Sequence, residues 1–195
     1  YYGPRYSPDG AMIVYSRTGG GGLTGSLWSR ETGVFVMPAA GGEPERIARR
    51  GNDPQFDASG ARVYFRTGGG LSKKLMSVGV DGRDEREVFD LKYVNFVEIS
   101  PDGEWVAFTE LYNAYVAPMP RTGGSIELNK DTKAIPVSRL SSDVGSYLHW
   151  SADSSRLHWM VGREYVTREV KDAFAFHPDA PRTLPTPAQA RGIDV

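Results

Sequence analysis

A four-residue turn, Ser-Pro-Asp-Gly, recurs along this chain in one local setting, and it narrows the fold more than any other feature. Ser7-Pro8-Asp9-Gly10 returns as Asp57-Ala58-Ser59-Gly60, as Ser100-Pro101-Asp102-Gly103 and, degraded, as Ser151-Ala152-Asp153-Ser154, at spacings of 50, 43 and 51 residues. Each copy follows an aromatic or aliphatic residue (Tyr6, Phe56, Ile99, Trp150) and precedes one alternation: Ile13 and Tyr15, Val63 and Phe65, Val106 and Phe108, Leu157 and Trp159. Proline presets φ, aspartate bonds its own backbone, and glycine takes the left-handed position, so the motif is a turn for physical reasons. A strand-built repeat of about 40–50 residues reads as the blades of a β-propeller.

The third repeat serves as template. The pattern predicts strands over 94–99, 105–110, 113–119 and 135–140, and third strands of the other repeats over 34–37, 75–80 and 164–170. The expected class is all-β, a propeller segment of about four four-stranded antiparallel blades at about 1–50, 51–93, 94–141 and 142–185. The glycine-rich excursion 19–25 and the polar stretch 125–133 read as insertions. Residues 186–195 read as a proline-containing linker toward a further domain, since Pro185 and Pro187 punctuate a stretch with no apolar period. The opening Tyr1-Tyr2-Gly3-Pro4 already reads as strand, as expected of a segment cut from something longer. Four blades are few for a ring that must leave no open edge, so the expectation is an arc of a larger ring, completed by further sequence or by a second copy.

Composition removes several functions. Basic and acidic residues number 23 and 24, for a net charge of −1, and no basic cluster exceeds Arg49-Arg50 or Lys73-Lys74, so no nucleic-acid partner is expected. Zero cysteines exclude disulfides, thiolate catalysis and cysteine-ligated zinc, which suits a reducing cytosol or a bacterial periplasm alike. No apolar run approaches the ~20 residues of a membrane-spanning helix. The 23 glycines and 13 prolines fit a chain that turns often.

The chain carries few candidate catalytic signatures. Gly20-Gly21-Gly22-Leu23-Thr24-Gly25 matches G-x-G-x-x-G, but Ser26-Leu27-Trp28 leads into β-type sequence where a nucleotide site needs a helix, so it reads as a hairpin loop. His149, His158 and His177 form no metal-binding pair at local spacing, and no G-x-S-x-G elbow occurs. No catalytic residue, cofactor or metal is therefore assigned. Asp9, Gly10, Gly60, Asp102, Gly103 and Asp153 are read as structural turn residues. One pattern suggests binding: the residue before each first-strand apolar residue is Arg5, Gln55, Glu98 and His149. All four are polar, in equivalent register on the strand expected to lie innermost, and could line a central channel. The alternative is that they hydrogen-bond neighbouring blades.

The repeat Tyr6-Ser7-Pro8-Asp9-Gly10 with Ile13-Val14-Tyr15, and its copies, resembles the TolB-like, or PD40, propeller repeat. Three stretches look like the propeller ahead of the catalytic domain in large bacterial amidohydrolases: 99–108, 112–118, and His149-Trp150-Ser151-Ala152-Asp153-Ser154 running on to 172–176. Gly192-Ile193-Asp194-Val195 resembles the strap leading to that domain. The resemblance implies an accessory, substrate-gating module of a metal-dependent hydrolase acting on C–N bonds, or a stand-alone module for a peptide or envelope protein. It also implies a periplasmic setting. The family's histidine and carboxylate ligands have no counterpart here, so no site residue carries over.

Overall fold

The computed structural model describes residues 1–19, 31–121, 123–143 and 145–188. It divides into two compact units, Tyr1–Lys92 with Gly123–Glu127, and Tyr93–Thr122 with Leu128–Val195. Both are built from strands; the regular helical structure described is a single 3-10 turn at Val170–Asp172.

In the first unit, β1 (Tyr2–Tyr6), β2 (Met12–Arg17), β3 (Gly33–Pro38) and β4 (Glu45–Ala48) form an antiparallel meander. A second meander follows: β5 (Asn52–Phe56), β6 (Arg62–Thr67), β7 (Lys74–Gly79) and β8 (Arg86–Asp90). Strand alternation sorts side chains to two faces. Val14, Val34 and Val36 of the first sheet pack on Val63, Phe65 and Val78 of the second. The link between the sheets passes through Gly51 at φ 150°, where a Cβ would stand 2.4 Å from the Phe65 ring, so only glycine lets the chain cross.

The second unit repeats the scheme. β9 (Val94–Ile99), β10 (Trp105–Glu110), β11 (Asn113–Pro118) and β13 (Ser138–Arg139) make one sheet; β14 (Ser146–Trp150), β15 (Arg156–Val161) and β16 (Glu164–Glu169) make the next. Ala107, Ala114 and Val116 face Leu148, Leu157 and Trp159, and Ala173 and Phe174 close the cluster. In the second unit small residues on one sheet stand opposite large ones on the next, whereas in the first unit valines meet valines and Phe65.

The last sheet contains three strands among the described residues, where four were expected. Part of the stretch read as an insertion is a strand: β12 (Ile126–Glu127) joins the second sheet in parallel beside β8. Ser125 Oγ donates to Glu87 there at 2.8 Å. The fourth strand expected over 135–140 shrinks to β13, which begins only after Pro136, a residue with no N–H for a ladder. The glycine-rich run 20–25 and the strap residues 192–195 lie outside the described residues, as does most of the expected linker.

The recurring turn explains the repeat. In the first, third and fourth copies the first-position serine donates to the third-position aspartate: Ser7 to Asp9, Ser100 to Asp102, Ser151 to Asp153, each at 2.5 Å. The serine oxygen accepts the N–H five residues on, from Met12, Trp105 and Arg156. The aspartate accepts the N–H two residues on, from Ala11, Glu104 and Ser155. In the second copy the two residue types are exchanged and the network survives. Asp57 takes the Arg62 N–H, Ser59 takes the Ala61 N–H, and Ser59 donates its proton to Asp57. The turn requires one hydroxyl and one carboxylate, in either order.

The fourth position is left-handed in every copy: Gly10 at φ 72°, Gly60 at 73°, Gly103 at 74°, Ser154 at 60°. Ser154 departs from glycine for a reason. Its buried Oγ accepts the Asp102 N–H at 2.9 Å, tying the turns of the last two sheets together.

Exchanging both residues of the second copy (Asp57→Ser with Ser59→Asp) is expected to leave the urea midpoint nearly unchanged. Asp57→Ala alone, which strands the Arg62 N–H, is expected to destabilise by about 1–2 kcal/mol.

Candidate functional site

The four candidate positions on the first strands of the repeats occupy one register. Arg5 stands opposite Val14, Gln55 opposite Tyr64, Glu98 opposite Ala107, and His149 opposite His158. Their surroundings differ. Arg5 is exposed, Gln55 and Glu98 are buried, and His149 is half-buried. In the first, second and fourth copies the ladder slips just ahead of this position. Gly3, Asp53 and Tyr147 occupy left-handed backbone there. Such bulges re-aim the side chains that follow. Asp53 is anchored by Arg66, whose Nε donates at 2.9 Å. In the second unit the Trp150 indole N–H donates to the Glu98 carbonyl at 3.2 Å.

Around His149 the last sheet assembles an imidazole–phenol cluster. His149 and His158 stack with ring centroids 5.2 Å apart, and Tyr165 lies 5.4 Å from His158 and 6.0 Å from His149. His149 Nδ1 is 2.8 Å from the Tyr147 carbonyl, which can only accept, so Nδ1 carries a proton. In the neutral ring Nε2 is then the acceptor for the Tyr165 hydroxyl at 3.2 Å. His158 Nδ1 pairs with the Thr167 hydroxyl at 2.8 Å. Burial holds the His158 pKa below its ordinary value, and the neighbouring His149 and Arg156 push the same way. The cluster sets two imidazole rings and a phenol side by side and offers an aromatic surface.

The turn aspartates Asp9, Asp102 and Asp153 are held by the bonds described above. The Ser151 and Ser155 hydroxyls keep Asp153 well below the usual carboxylate range, at about 2. Asp102 and Asp153 also line one cavity of about 500 Å³ with Trp105, Arg156, Glu169 and His177. Among the described residues no three histidine, aspartate or glutamate side chains gather as a metal site. His177 sits 6.2 Å from the Trp105 ring, stacked on it, and accepts the Asp179 N–H.

Sequence reasoning singled out His149 but missed His158 and Tyr165 as its companions. The signal for His158 was present: the two histidines lie at equal distances from the centre of the 151–156 hairpin, so antiparallel pairing sets them face to face. Tyr165 enters through a second hairpin and a 160–165 pairing that only the observed register fixes.

No family-level sequence pattern matches the chain, and neither does any curated protein. Solved structures do. TolB from Acinetobacter baumannii superposes with a TM-score of 0.63 at 15% identity, covering 89% of this chain and 42% of its own. A putative TolB from Agrobacterium tumefaciens gives 0.54 at 15% identity, with 79% and 51% covered. An oligogalacturonate lyase from Vibrio parahaemolyticus gives 0.52 at 12% identity, with 80% and 44% covered. The shared feature is the β-propeller fold, and this chain spans about half or less of each of those chains.

A His158 pKa lowered in the folded state favours the neutral ring. Its contribution is therefore full above the unfolded value near 6.5 and is lost as pH falls from there through the lower folded value. Melting temperature is expected to decline between pH 7.5 and 5, and His158→Gln to flatten that decline. Asp9 and Asp153, whose pKa values serine hydroxyls hold below the ordinary 3.8, lose their contribution only as pH falls below that value, so their loss is separable.

Proposed function

We propose that this chain is a non-catalytic TolB-like propeller module, serving as an accessory, substrate-gating domain of a larger amidohydrolase-type metal-dependent hydrolase. The observation that carries the reading is where the chemistry-bearing side chains are engaged. Asp9, Asp102 and Asp153 hold turns, His149 and His158 hold strand-to-strand contacts, and Ser141 fastens a loop. The resemblance of 99–108, 112–118 and 149–176 to amidohydrolase propellers supports the choice of parent. Hydrolysis of a C–N bond by metal-activated water would then fall to the attached domain. The share of the TolB chains that this one spans supports a larger ring, completed by further sequence or a second copy. An exported, periplasmic setting goes with the same reading, as does binding along Arg5, Gln55, Glu98 and His149.

The fold likeness to TolB favours a second reading, a stand-alone module that receives a peptide or an envelope protein. Pull-down from an envelope extract, repeated with Glu98→Ala and His149→Ala, tests it; unchanged capture by both variants would remove these two residues from the binding face.

Two measurements test the principal reading. The natural gene product and this isolated chain are compared for zinc-dependent hydrolysis of dipeptides and N-acyl amino acids. Activity is expected in the natural product alone, and metal-dependent turnover by the isolated chain would refute the non-catalytic assignment. Light scattering is expected to show this chain self-associating, whereas a monomer stable to dilution counts against ring completion by a second copy.

A further inference from the structure

Four residues that lack the freedom of glycine hold left-handed backbone in the second unit; Ser154 is accounted for by its bond to Asp102, and three are not. Leu111 (φ 45°) and Tyr112 (φ 71°) form the two-residue turn between β10 and β11, and Tyr147 (φ 56°) is the bulge residue of β14. A two-residue hairpin loop with both φ positive ordinarily takes Asn-Gly. Here it carries leucine and tyrosine. Packing offers no compensation, because Tyr112 is 73% and Tyr147 80% exposed. Backbone strain at exposed side chains is a signature of a site that uses those side chains.

The two loops are fastened together. The Gly145 N–H donates to the Tyr112 carbonyl at 2.7 Å, and Ser141 Oγ accepts the Ala114 N–H at 2.9 Å while donating to the Asp143 carbonyl at 2.8 Å. A Cβ at Gly145 would stand 2.9 Å from that of Ala114, so the approach is as close as glycine permits. The tyrosines are thus presented by a braced frame. They line a cavity of about 300 Å³ with Asn95, Thr109 and Ser146, over a floor containing Phe96.

The chemistry of the wall selects its occupant. Among the described residues no side chain lining the cavity is charged, so a carboxylate, phosphate or ammonium ligand would find no counter-ion there. One amide and two hydroxyls supply donors and acceptors, and the tyrosines supply flat apolar faces. A proline-rich peptide would use the rings, but its pyrrolidines carry no N–H to meet the wall. A pyranose uses both, since its C–H face lies on an aromatic ring while its rim hydroxyls form hydrogen bonds. β-1,4-linked glucose or N-acetylglucosamine units carry equatorial substituents and leave C–H faces open. We propose that the cavity between the Leu111-Tyr112 turn and the Tyr147 bulge binds a neutral β-1,4-linked oligosaccharide, with Tyr112 and Tyr147 as stacking platforms.

Calorimetric titration of this protein with cellohexaose and chitohexaose, in parallel with hexagalacturonate and decaproline, tests the proposal. At least one neutral hexasaccharide is expected to bind with Kd at or below about 1 mM. Tyr112→Ala and Tyr147→Ala are each expected to weaken it about tenfold or more. Tyr147→Gly is expected to lose binding while raising Tm by about 2–4 °C, because it removes strain without removing packing. That rise shows that a variant which fails to bind is still folded. Failure of both neutral saccharides overturns the proposal, and so does binding that both alanine variants retain. Equal or tighter binding of hexagalacturonate overturns the neutral class, and decaproline bound at the tyrosines makes this a peptide site instead. None of these readouts depends on whether an attached domain hydrolyses C–N bonds.

Discussion

The structure depends on a single proton held between a hydroxyl and a carboxylate at the start of each repeat. That proton lets two acceptor oxygens sit side by side in a tight turn and receive two backbone N–H groups that would otherwise be stranded. The closed turn fixes the register of the first hairpin. A slip of one residue would send every side chain to the opposite face. In this register Val14 and Ala107 face one way while Phe65 and Trp159 face the other, and both buried clusters are built from that division. The exchange of Asp57 and Ser59 shows that the chemistry, rather than the residue order, is what the fold needs.

In the second unit, left-handed backbone at residues other than glycine divides into two kinds. At Ser154 the strain is compensated locally, because a glycine could not supply the oxygen that accepts the Asp102 N–H. At Leu111, Tyr112 and Tyr147 the side chains project into solvent, and local packing supplies no such compensation. The first kind explains why the fourth turn copy departs from the motif. The second kind gathers at the rim of the 300 Å³ cavity and supports a binding role there. The His149–His158–Tyr165 cluster belongs to neither kind. Its geometry follows from ordinary cross-strand pairing.

Much of the architecture was legible because turn chemistry and period-two alternation are local. The first two strands of the third repeat fall where the pattern sets them, at Val94–Ile99 and Trp105–Glu110. Legibility ended where a strand is recruited by a distant partner. Ile126 and Glu127 sit in a polar stretch with no strand signature, and they become a strand because β8 has a free edge to offer. The candidate site divides in the same way. The common register of Arg5, Gln55, Glu98 and His149 was readable from spacing alone, but not that Gln55 and Glu98 would be buried while Arg5 stays exposed.

By itself, then, the sequence determined the repeat, the turns, the strand faces, the near-balance of charge and the absence of cysteine, all of which act over a few residues or through composition. Tertiary structure decided which side chains meet. His158 is brought to Tyr165 by the pairing of a second hairpin, and Tyr112 to Tyr147 by a hydrogen bond between loops more than 30 residues apart in the chain. Such meetings depend on loop closure and on the packing of one sheet against the next, and neither leaves a periodic trace in the residues involved.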